Sequence, residues 1–243
     1  MYAIETKQLV KKYKEKTAVK GIDLTVNEGE FFALLGVNGA GKTTTARMLT
    51  CLSAPTAGEA FVNGHSVLTE RDAVKAVTGI SPQDTAVAEK LTVRENLALM
   101  TKVYGLSPEK QKERIEAMLT ELGLSEYADV RAKTLSGGWK RRLSIAMALI
   151  SEPKVLFLDE PTLGLDVLAR RELWRVMRKL KGSMTVILTT HYMEEAEELA
   201  DRIAIMIDGR IAALGSLAEL EAQTGKTGLE DAFIAIAEGG EEE

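Results

Sequence analysis

One glycine-rich segment of the chain has the spacing of a phosphate-binding loop. It reads Gly36-Val-Asn-Gly-Ala-Gly-Lys-Thr43 and matches G-x-x-x-x-G-K-[ST]. Glycines let the backbone curl until several N–H groups converge on phosphate oxygens, Lys42 can reach the β- and γ-phosphates, and Thr43 can offer a hydroxyl to Mg²⁺. A helix that begins near Gly41 would add the positive end of its dipole. The sequence therefore predicts a site for nucleotide phosphates and Mg²⁺.

Polar residues also follow two apolar segments further along the chain. Asp159 and Glu160 come directly after Val155–Leu158, and His191 follows Met184–Leu188 after two threonines. Beside bound phosphates, Asp159 can hold the Mg²⁺ shell, Glu160 can deprotonate the attacking water, and His191 can donate a hydrogen bond to the γ-phosphate. On its own, an Asp-Glu pair at a strand end is more often a solvated turn, and a lone histidine is more often structural. The phosphate loop favours the functional interpretation.

A second segment has features that bind phosphate. Leu135-Ser136-Gly137-Gly138 opens a predicted helix, and a helix N-terminus with small residues binds anions well. One nucleotide does not need two such devices from one chain. We therefore expect this segment to serve the nucleotide of a second copy.

Three continuous apolar runs must position these motifs. They are Phe31–Leu35, Val155–Leu158 and Met184–Leu188, and each ends abruptly in polar residues. Such runs are typical of central strands in a parallel sheet, which are buried on both faces. The first 35 residues instead alternate apolar and polar positions, as in Gly21–Val26, which predicts half-buried strands. Ligands collect at the carboxyl ends of strands in open α/β sheets, where all three motifs lie.

Helical patterns separate the second and third of these runs from the first. Thr92 and Glu95 form a capping box, and Ser107-Pro108 supplies a cap and a first-turn proline. The predicted helices in this part cover Val93–Tyr104, Glu109–Leu122 and Gly138–Ile150. Strands that alternate with helices indicate an α/β core. Residues 84–150 lack a convincing strand, so we expect them to form a helical subdomain inserted into that core.

Composition excludes several classes of protein. The chain has 243 residues, 45% of them hydrophobic, and its longest apolar runs are far shorter than the about 20 residues that a membrane span needs. The N-terminal MYAIETKQLV lacks the pattern of a secretory signal, which predicts a cytoplasmic protein. One cysteine excludes an intramolecular disulfide, and two histidines leave little for a histidine-based metal site. With 31 basic residues against 36 acidic ones, no nucleic-acid partner held by a basic field is expected.

The order and spacing of the motifs resemble the ATP-binding subunit of ABC transporters over nearly the whole chain. Gly36–Thr43 is similar to Walker A and Leu156–Glu160 to Walker B. Leu135–Gly138 is similar to the signature loop and Leu163–Asp166 to the D-loop. The resemblance implies that the chain binds and hydrolyses ATP with Mg²⁺.

The resemblance also implies roles for single residues. Tyr13 occupies the place of the aromatic residue that stacks on adenine, and Gln83 occupies that of the Q-loop glutamine. Catalytic roles are implied for Lys42, Gln83, Glu160 and His191. Contacts to Mg²⁺ are implied for Thr43, Gln83 and Asp159. Contacts to the nucleotide are implied for Tyr13, Gly36, Val37, Asn38, Gly39, Ala40, Gly41, Lys42, Thr43, Thr44, Ser136, Gly137, Gly138 and Asp166.

The implied fold is α/β: a P-loop NTPase core with a mostly parallel central sheet, an N-terminal antiparallel β subdomain and an inserted α-helical subdomain. Residues 1–243 would form a single ABC ATPase domain. The core with its β subdomain would comprise 1–83 and 151–218. The helical subdomain with the signature loop would comprise 84–150, and a C-terminal helix with an acidic tail 219–243.

Partners follow from the same resemblance. Two ATP molecules would lie in a head-to-tail dimer, each between the Walker A loop of one subunit and the signature loop of the other. Closing and opening of this dimer would drive an integral membrane permease through the helical subdomain and Gln83. Contact with the permease would hold the chain at the inner face of the cell membrane.

Three segments narrow the resemblance to ABC-2-type exporters of the daunorubicin-resistance, nodulation-factor and sodium-efflux types. They are Gly36–Thr45, Leu91–Leu97 and Leu229–Ile234. A soluble ATPase of the same family, as in iron–sulfur cluster assembly, stays open as an alternative. Relatives that act on nucleic acids normally have tandem ATPase domains, zinc modules or long coiled-coil insertions, which this sequence lacks.

The chain departs from the family pattern at three positions. Trp139 stands where glutamine is usual, Leu163 replaces a small hydroxyl residue of the D-loop, and Val167 replaces a proline. The departures concern contacts between subunits and leave Lys42 and Glu160 untouched.

Overall fold

The computed structural model describes residues 2–239, which form two sheets and a set of surrounding helices. The strands are β1 (Tyr2–Tyr13), β2 (Lys16–Asn27), β3 (Phe31–Leu35), β4 (Ala57–Val62), β5 (His65–Ser66), β6 (Thr78–Ser81), β7 (Val155–Asp159), β8 (Thr185–Thr190), β9 (Arg202–Ile207) and β10 (Arg210–Gly215). The helices are α1 (Lys42–Leu49), α2 (Arg71–Val77), α3 (Val93–Val103), α4 (Pro108–Glu121), α5 (Gly137–Leu149), α6 (Val167–Arg178), α7 (Met193–Leu199), α8 (Leu217–Thr224) and α9 (Leu229–Gly239).

The larger sheet has the strand order β10-β9-β3-β8-β7-β6. Its strands pair in parallel except for β10, which forms an antiparallel pair with β9. This is the mostly parallel sheet that the apolar runs predict. Phe31, Ala33 and Leu35 pack into the core on one face of β3, whereas Phe32 and Leu34 pack into the core on the other. Burial on both faces explains why this strand has no polar position.

The strand predicted from the third apolar run is wrong at both ends. The sequence predicts a strand over Met184–Leu188, but β8 covers Thr185–Thr190 and is buried throughout. Thr189 and Thr190 continue the strand because β-branched side chains suit extended backbone. Their hydroxyls have partners within the protein, so their polarity does not end the strand. His191 therefore follows the strand directly.

The smaller sheet is antiparallel, with the order β2-β1-β4-β5, and supplies the predicted N-terminal β subdomain. Three helices, α3, α4 and α5, account for most of residues 84–150. The capping box of Thr92 and Glu95 starts α3 as predicted, and Ser107 caps α4. An isolated bridge between Thr92 and Arg131 is the one β-type pairing described for this part of the chain.

The C-terminal part forms two helices where the sequence predicts one. Gly225 ends α8 in a left-handed conformation, and α9 follows four residues later. The main-chain N–H of Leu229, at the start of α9, donates to Glu197 Oε1 of α7 at 2.7 Å. Glu238 and Gly239 lie within α9, while residues 240–243 of the expected acidic tail are outside the described residues. Within residues 2–239, no helix has the length and apolar character that crossing a bilayer requires.

Candidate nucleotide site

The ends of three neighbouring strands bring the predicted motifs to one edge of the larger sheet. In the register of the parallel pairs, Leu35 of β3 lies opposite Thr190 of β8, and Asp159 of β7 lies opposite Thr189. The next residues of the three strands are Gly36, Glu160 and His191. Residues from three separate parts of the chain therefore meet at one site.

The loop between β3 and α1 has the geometry of an anion cradle. Gly41 is the N-cap residue of α1, with φ of +109°, so no side chain covers the first turn of that helix. The N–H groups of a first helical turn lack acceptors within the helix, and they attract anions. A Cβ atom on Gly36 would lie 2.3 Å from the carbonyl oxygen of Met206, so only glycine fits there. These features fit nucleotide phosphates.

Lys42 lies inside this loop and is almost fully buried. Its Nζ donates to the carbonyl oxygens of Gly36 at 2.7 Å and Val37 at 3.2 Å. It also lies 3.3 Å from Glu160 Oε1. A buried ammonium group and a buried carboxylate thus form an ion pair at the edge of the cradle.

Glu160 connects the lysine to the histidine. Its other carboxylate oxygen, Oε2, accepts from Nδ1 of His191 at 2.5 Å. The backbone of Glu160 has φ of +49°, a left-handed conformation that costs about 1–2 kcal/mol for a residue with a side chain. A hydrogen bond from its N–H to the carbonyl oxygen of Thr189 helps to hold this conformation. The protein thus stabilises an unfavourable backbone geometry at this carboxylate.

Two oxygen-bearing side chains that suit Mg²⁺ lie side by side. Thr43 Oγ1 donates to Asp159 Oδ1 at 3.0 Å, and Thr189 Oγ1 donates to the same oxygen. Mg²⁺ prefers oxygen ligands and is commonly held by one or two carboxylates together with substrate phosphates. No group of three or more His, Cys, Asp and Glu side chains suited to a metal occurs among the described residues.

A cleft of about 510 Å³ unites most of the predicted residues. Its lining comprises Tyr13, Lys16, Ala18, Asn38, Gly39, Gly41, Lys42, Thr43, Thr44, Gln83, Glu160, Leu163 and His191. Tyr13 ends β1 at the mouth of the cleft and is 44% exposed, with the ammonium of Lys11 4.9 Å from its ring centre. A larger cleft of about 1090 Å³ between α4 and α6 contains none of the predicted residues.

Several predicted residues do not line the cleft. Gly36, Val37, Ala40 and Asp159 belong to the loop and strand that frame it. Ser136, Gly137 and Gly138 form the start of α5, and the Ser136 side chain makes no capping bond to that helix. Asp166 caps α6, where its Oδ1 accepts from the N–H groups of Leu168 and Ala169.

Gln83 is held by a residue that no motif in the sequence indicates. Arg141 of α5 is buried and donates to the carbonyl oxygens of Pro82 and Gln83, each at 2.6 Å. Burial lowers the pKa of its guanidinium, while Asp159 is the strongest of the carboxylates that raise it. A second buried contact joins Ser81 Oγ to Ser144 Oγ of the same helix at 2.9 Å. The chain around Gln83 is thus tied to α5.

Trp139 packs within its own chain. Its ring lies 4.3 Å from the Tyr127 ring, centre to centre, and the guanidinium of Arg142 lies 4.6 Å from its ring centre. Arg142 also pairs with Glu172 of α6 at 2.9 Å. The bulk of the unusual tryptophan is therefore accommodated inside the helical part.

The chain belongs to the ABC transporter family, whose model matches residues 19–163. Within that family it is an ABC ATPase domain that binds ATP. It is 45% identical over 224 residues to the daunorubicin/doxorubicin resistance ATP-binding protein DrrA of Streptomyces peucetius. The matched region covers 92% of this chain and 68% of that protein. It is 47% identical over 228 residues to the human ATP-binding cassette sub-family A member 2, covering 91% of this chain.

The chain spans only 9% of the length of that human relative. Among solved structures, it is similar to the dimeric post-hydrolysis state of an ATP-binding cassette bound to ADP and Pi. The TM-score is 0.79 at 28% identity, with 88% of this chain and 98% of the other covered. These similarities confirm the predicted family and the predicted α/β fold.

Proposed function

We propose that this domain hydrolyses ATP with Mg²⁺ in two sites shared between two copies and thereby drives a membrane exporter. The observation that carries the proposal is the contact chain from Lys42 through Glu160 to His191 beside the anion cradle. Lys42 supplies a cation that binds phosphate, Glu160 supplies a carboxylate that activates water, and His191 orients that carboxylate.

Each of these residues has a distinct task. Lys42 and the N-terminus of α1 bind the phosphates and offset their negative charge. Glu160 accepts the proton of the attacking water, and His191 keeps its carboxylate oriented. Thr43, Gln83 and Asp159 would hold Mg²⁺, which when bound supplies charge that stabilises the transferring phosphoryl group.

Adenine recognition falls to the mouth of the cleft. Tyr13 exposes one part of its ring there, and the Lys11 ammonium lies against the ring. Aromatic rings stack on nucleic-acid bases with little dependence on which base it is. Tyr13 would therefore hold the base, and the loop would hold the phosphates.

A second copy would complete each site. The dimeric state of the similar ATP-binding cassette supports a dimer. Exposed apolar side chains support it as well. Leu163 lines the cleft and is 37% exposed, and Val167 and Leu168, at the start of α6, are 63% and 75% exposed. Ser136 starts a helix whose N-terminus is available to a phosphate, although it does not line the cleft of its own chain.

Mixing two inactive variants tests this shared site. Lys42→Ala disables the loop and Ser136→Arg blocks the signature segment, so each variant alone should have little ATPase activity. A mixed dimer keeps one site in which an intact phosphate loop faces an intact signature loop. An equimolar mixture is expected to regain about a quarter of the wild-type rate, since random pairing places both variants in about half of the dimers.

The matched control mixes Lys42→Ala with the Lys42→Ala/Ser136→Arg double variant, which leaves no intact pair. Phosphate release should stay at background in that mixture. Equal activity in both mixtures would contradict the head-to-tail arrangement.

An exporter role is supported by the similarity to a drug-resistance ATP-binding protein. It is also supported by an apolar face at the end of α3, where Leu99 and Val103 are 44% and 68% exposed and Tyr104 follows. A permease docked on this face would hold the domain at the inner side of the cell membrane. A soluble complex, as in iron–sulfur cluster assembly, is the alternative.

Co-purification with a multi-span membrane protein encoded beside this chain tests the exporter role. Leu99→Gln/Val103→Gln is expected to lose most of the permease while it keeps ATPase activity in isolation. Ile234→Gln is the matched control, because Ile234 is 45% exposed on α9 and lies outside the α3 face. If the wild type recovers no membrane protein but does recover a soluble assembly partner, the alternative is correct.

A further inference from the structure

Glu195 is a fully buried carboxyl group in the first turn of α7, close to the nucleotide site. The indole Nε1–H of Trp174, on α6, donates to its Oε1 at 3.1 Å. Buried carboxyl groups are rare unless they are paired or hydrogen-bonded. None of the roles derived above uses this group.

Two buried hydroxyls lie against the Glu195 carboxyl. They belong to Thr162, in the turn that follows Glu160, and to Thr190, the last residue of β8. In the described part of the chain, Thr162 Oγ1 and Glu195 Oε2 are buried without a hydrogen bond of good geometry. Oε2 and the Thr162 hydroxyl thus have spare hydrogen-bonding capacity at the same place.

These hydroxyls belong to the segments that carry the base and the histidine. Thr162 lies two residues after Glu160, and the N–H of Leu163 donates to the Glu160 carbonyl oxygen at 3.2 Å. Thr190 precedes His191, and its carbonyl oxygen accepts from the N–H of Gly36 at 3.3 Å. The Glu195 carboxyl lies between the two segments.

We propose that Glu195 is a positioning residue for ATP hydrolysis, because its carboxyl packs between the turn after Glu160 and the strand end before His191, against one hydroxyl from each. One carboxyl oxygen accepts from the indole, and the other lies beside the Thr162 hydroxyl. The inference deepens the proposed function and rests on it. It adds a residue that touches neither the nucleotide nor the attacking water.

The electrostatic surroundings favour the neutral form. Burial raises the pKa of Glu195, and the nearby Glu160 carboxylate raises it further. The hydroxyls of Thr190 and Thr162 and the Trp174 indole act in the opposite direction. The Arg141 guanidinium of α5 is also within electrostatic range. An ionised carboxylate could only accept hydrogen bonds and would carry an unpaired charge in a buried place.

Two substitutions at position 195 test the proposal by steady-state ATPase assays. Glu195→Gln keeps the shape and one donor and one acceptor, so kcat is expected within about twofold of the wild type. Glu195→Leu removes the link and is expected to lower kcat by about tenfold to a hundredfold, the size of effect that misplacement of a reacting group produces. ATP affinity, measured by calorimetry without Mg²⁺, should change little because the phosphate loop is untouched.

Thr162→Val removes the hydroxyl alone and keeps the test valid if Glu195→Leu does not fold. It is expected to lower kcat in the same direction, again with unchanged ATP affinity. Thr78→Val is the matched control, since Thr78 is also buried and donates to Val74 at the far end of the sheet. Its kcat should equal that of the wild type.

Wild-type kcat in Thr162→Val, or in a folded Glu195→Leu variant, would overturn the proposal. So would a Glu195→Gln variant as slow as Glu195→Leu, or a loss of ATP affinity that parallels the loss of kcat. An inactive wild-type chain would instead overturn the proposed function, so the two failures are distinguishable.

Discussion

A Glu160→Gln variant is expected to bind ATP but to hydrolyse it about 10²–10⁴ times more slowly than the wild type, the usual contribution of a general base. The amide keeps the shape of the side chain but cannot take the proton of the attacking water. Because ATP then persists, the variant should accumulate as an ATP-bound dimer. Phosphate release measures the first effect, and size-exclusion chromatography with ATP measures the second.

Glu194→Gln is the control for the loss of a negative charge near the site. Glu194 is exposed on α7, next to the buried Glu195. Its substitution should leave both the rate and the elution profile unchanged. A Glu160→Gln chain that hydrolyses ATP at nearly the wild-type rate would rule out Glu160 as the base.

Lys42→Ala has the second-largest expected effect, on binding. A hydrogen bond to a charged group contributes about 1.5–3 kcal/mol, so losing the ammonium should weaken ATP binding by at least about tenfold. The folded protein loses an ion pair as well, since Glu160 then remains buried beside His191 alone. Calorimetric titration with ATP and Mg²⁺ measures the affinity, and thermal unfolding checks that the variant is folded.

Lys16→Ala separates the role of Lys42 from the general charge of the cleft. Lys16 lines the same cleft, but it is exposed and lies outside the phosphate loop. Its loss should change ATP affinity much less. Comparable affinity losses in the two variants would mean that the loop does not hold the phosphates in the proposed way.

The parts of the fold that could be predicted are those that leave a pattern among neighbouring residues of the sequence. The β3 and β7 runs are apolar because both faces are buried, and the phosphate loop follows β3 without a gap. Parallel pairing then requires the ends of β3, β7 and β8 to meet. That is why Gly36, Glu160 and His191 could be predicted to share a site.

Other features depend on tertiary contacts and gave no local signal. Arg141 and Glu195 are charged residues within helices, where the sequence suggests an exposed position, yet packing buries both. Lys16 reaches the cleft only because of how β2 turns back from β1. The split between α8 and α9 is different, because it does have a local signal: Gly225 could have predicted it, since a left-handed glycine commonly ends a helix.

The ties between Gln83 and α5 have a consequence for how two nucleotides affect each other. Gln83 lines the cleft of its own chain, whereas Ser136, at the start of α5, would serve the nucleotide of the partner. Arg141 holds the Gln83 backbone from the same helix. A displacement of Gln83 by one nucleotide would therefore shift the surface offered to the other. Binding at the two sites would be cooperative, and because thermodynamic linkage is reciprocal, each site would change the affinity of the other by the same factor.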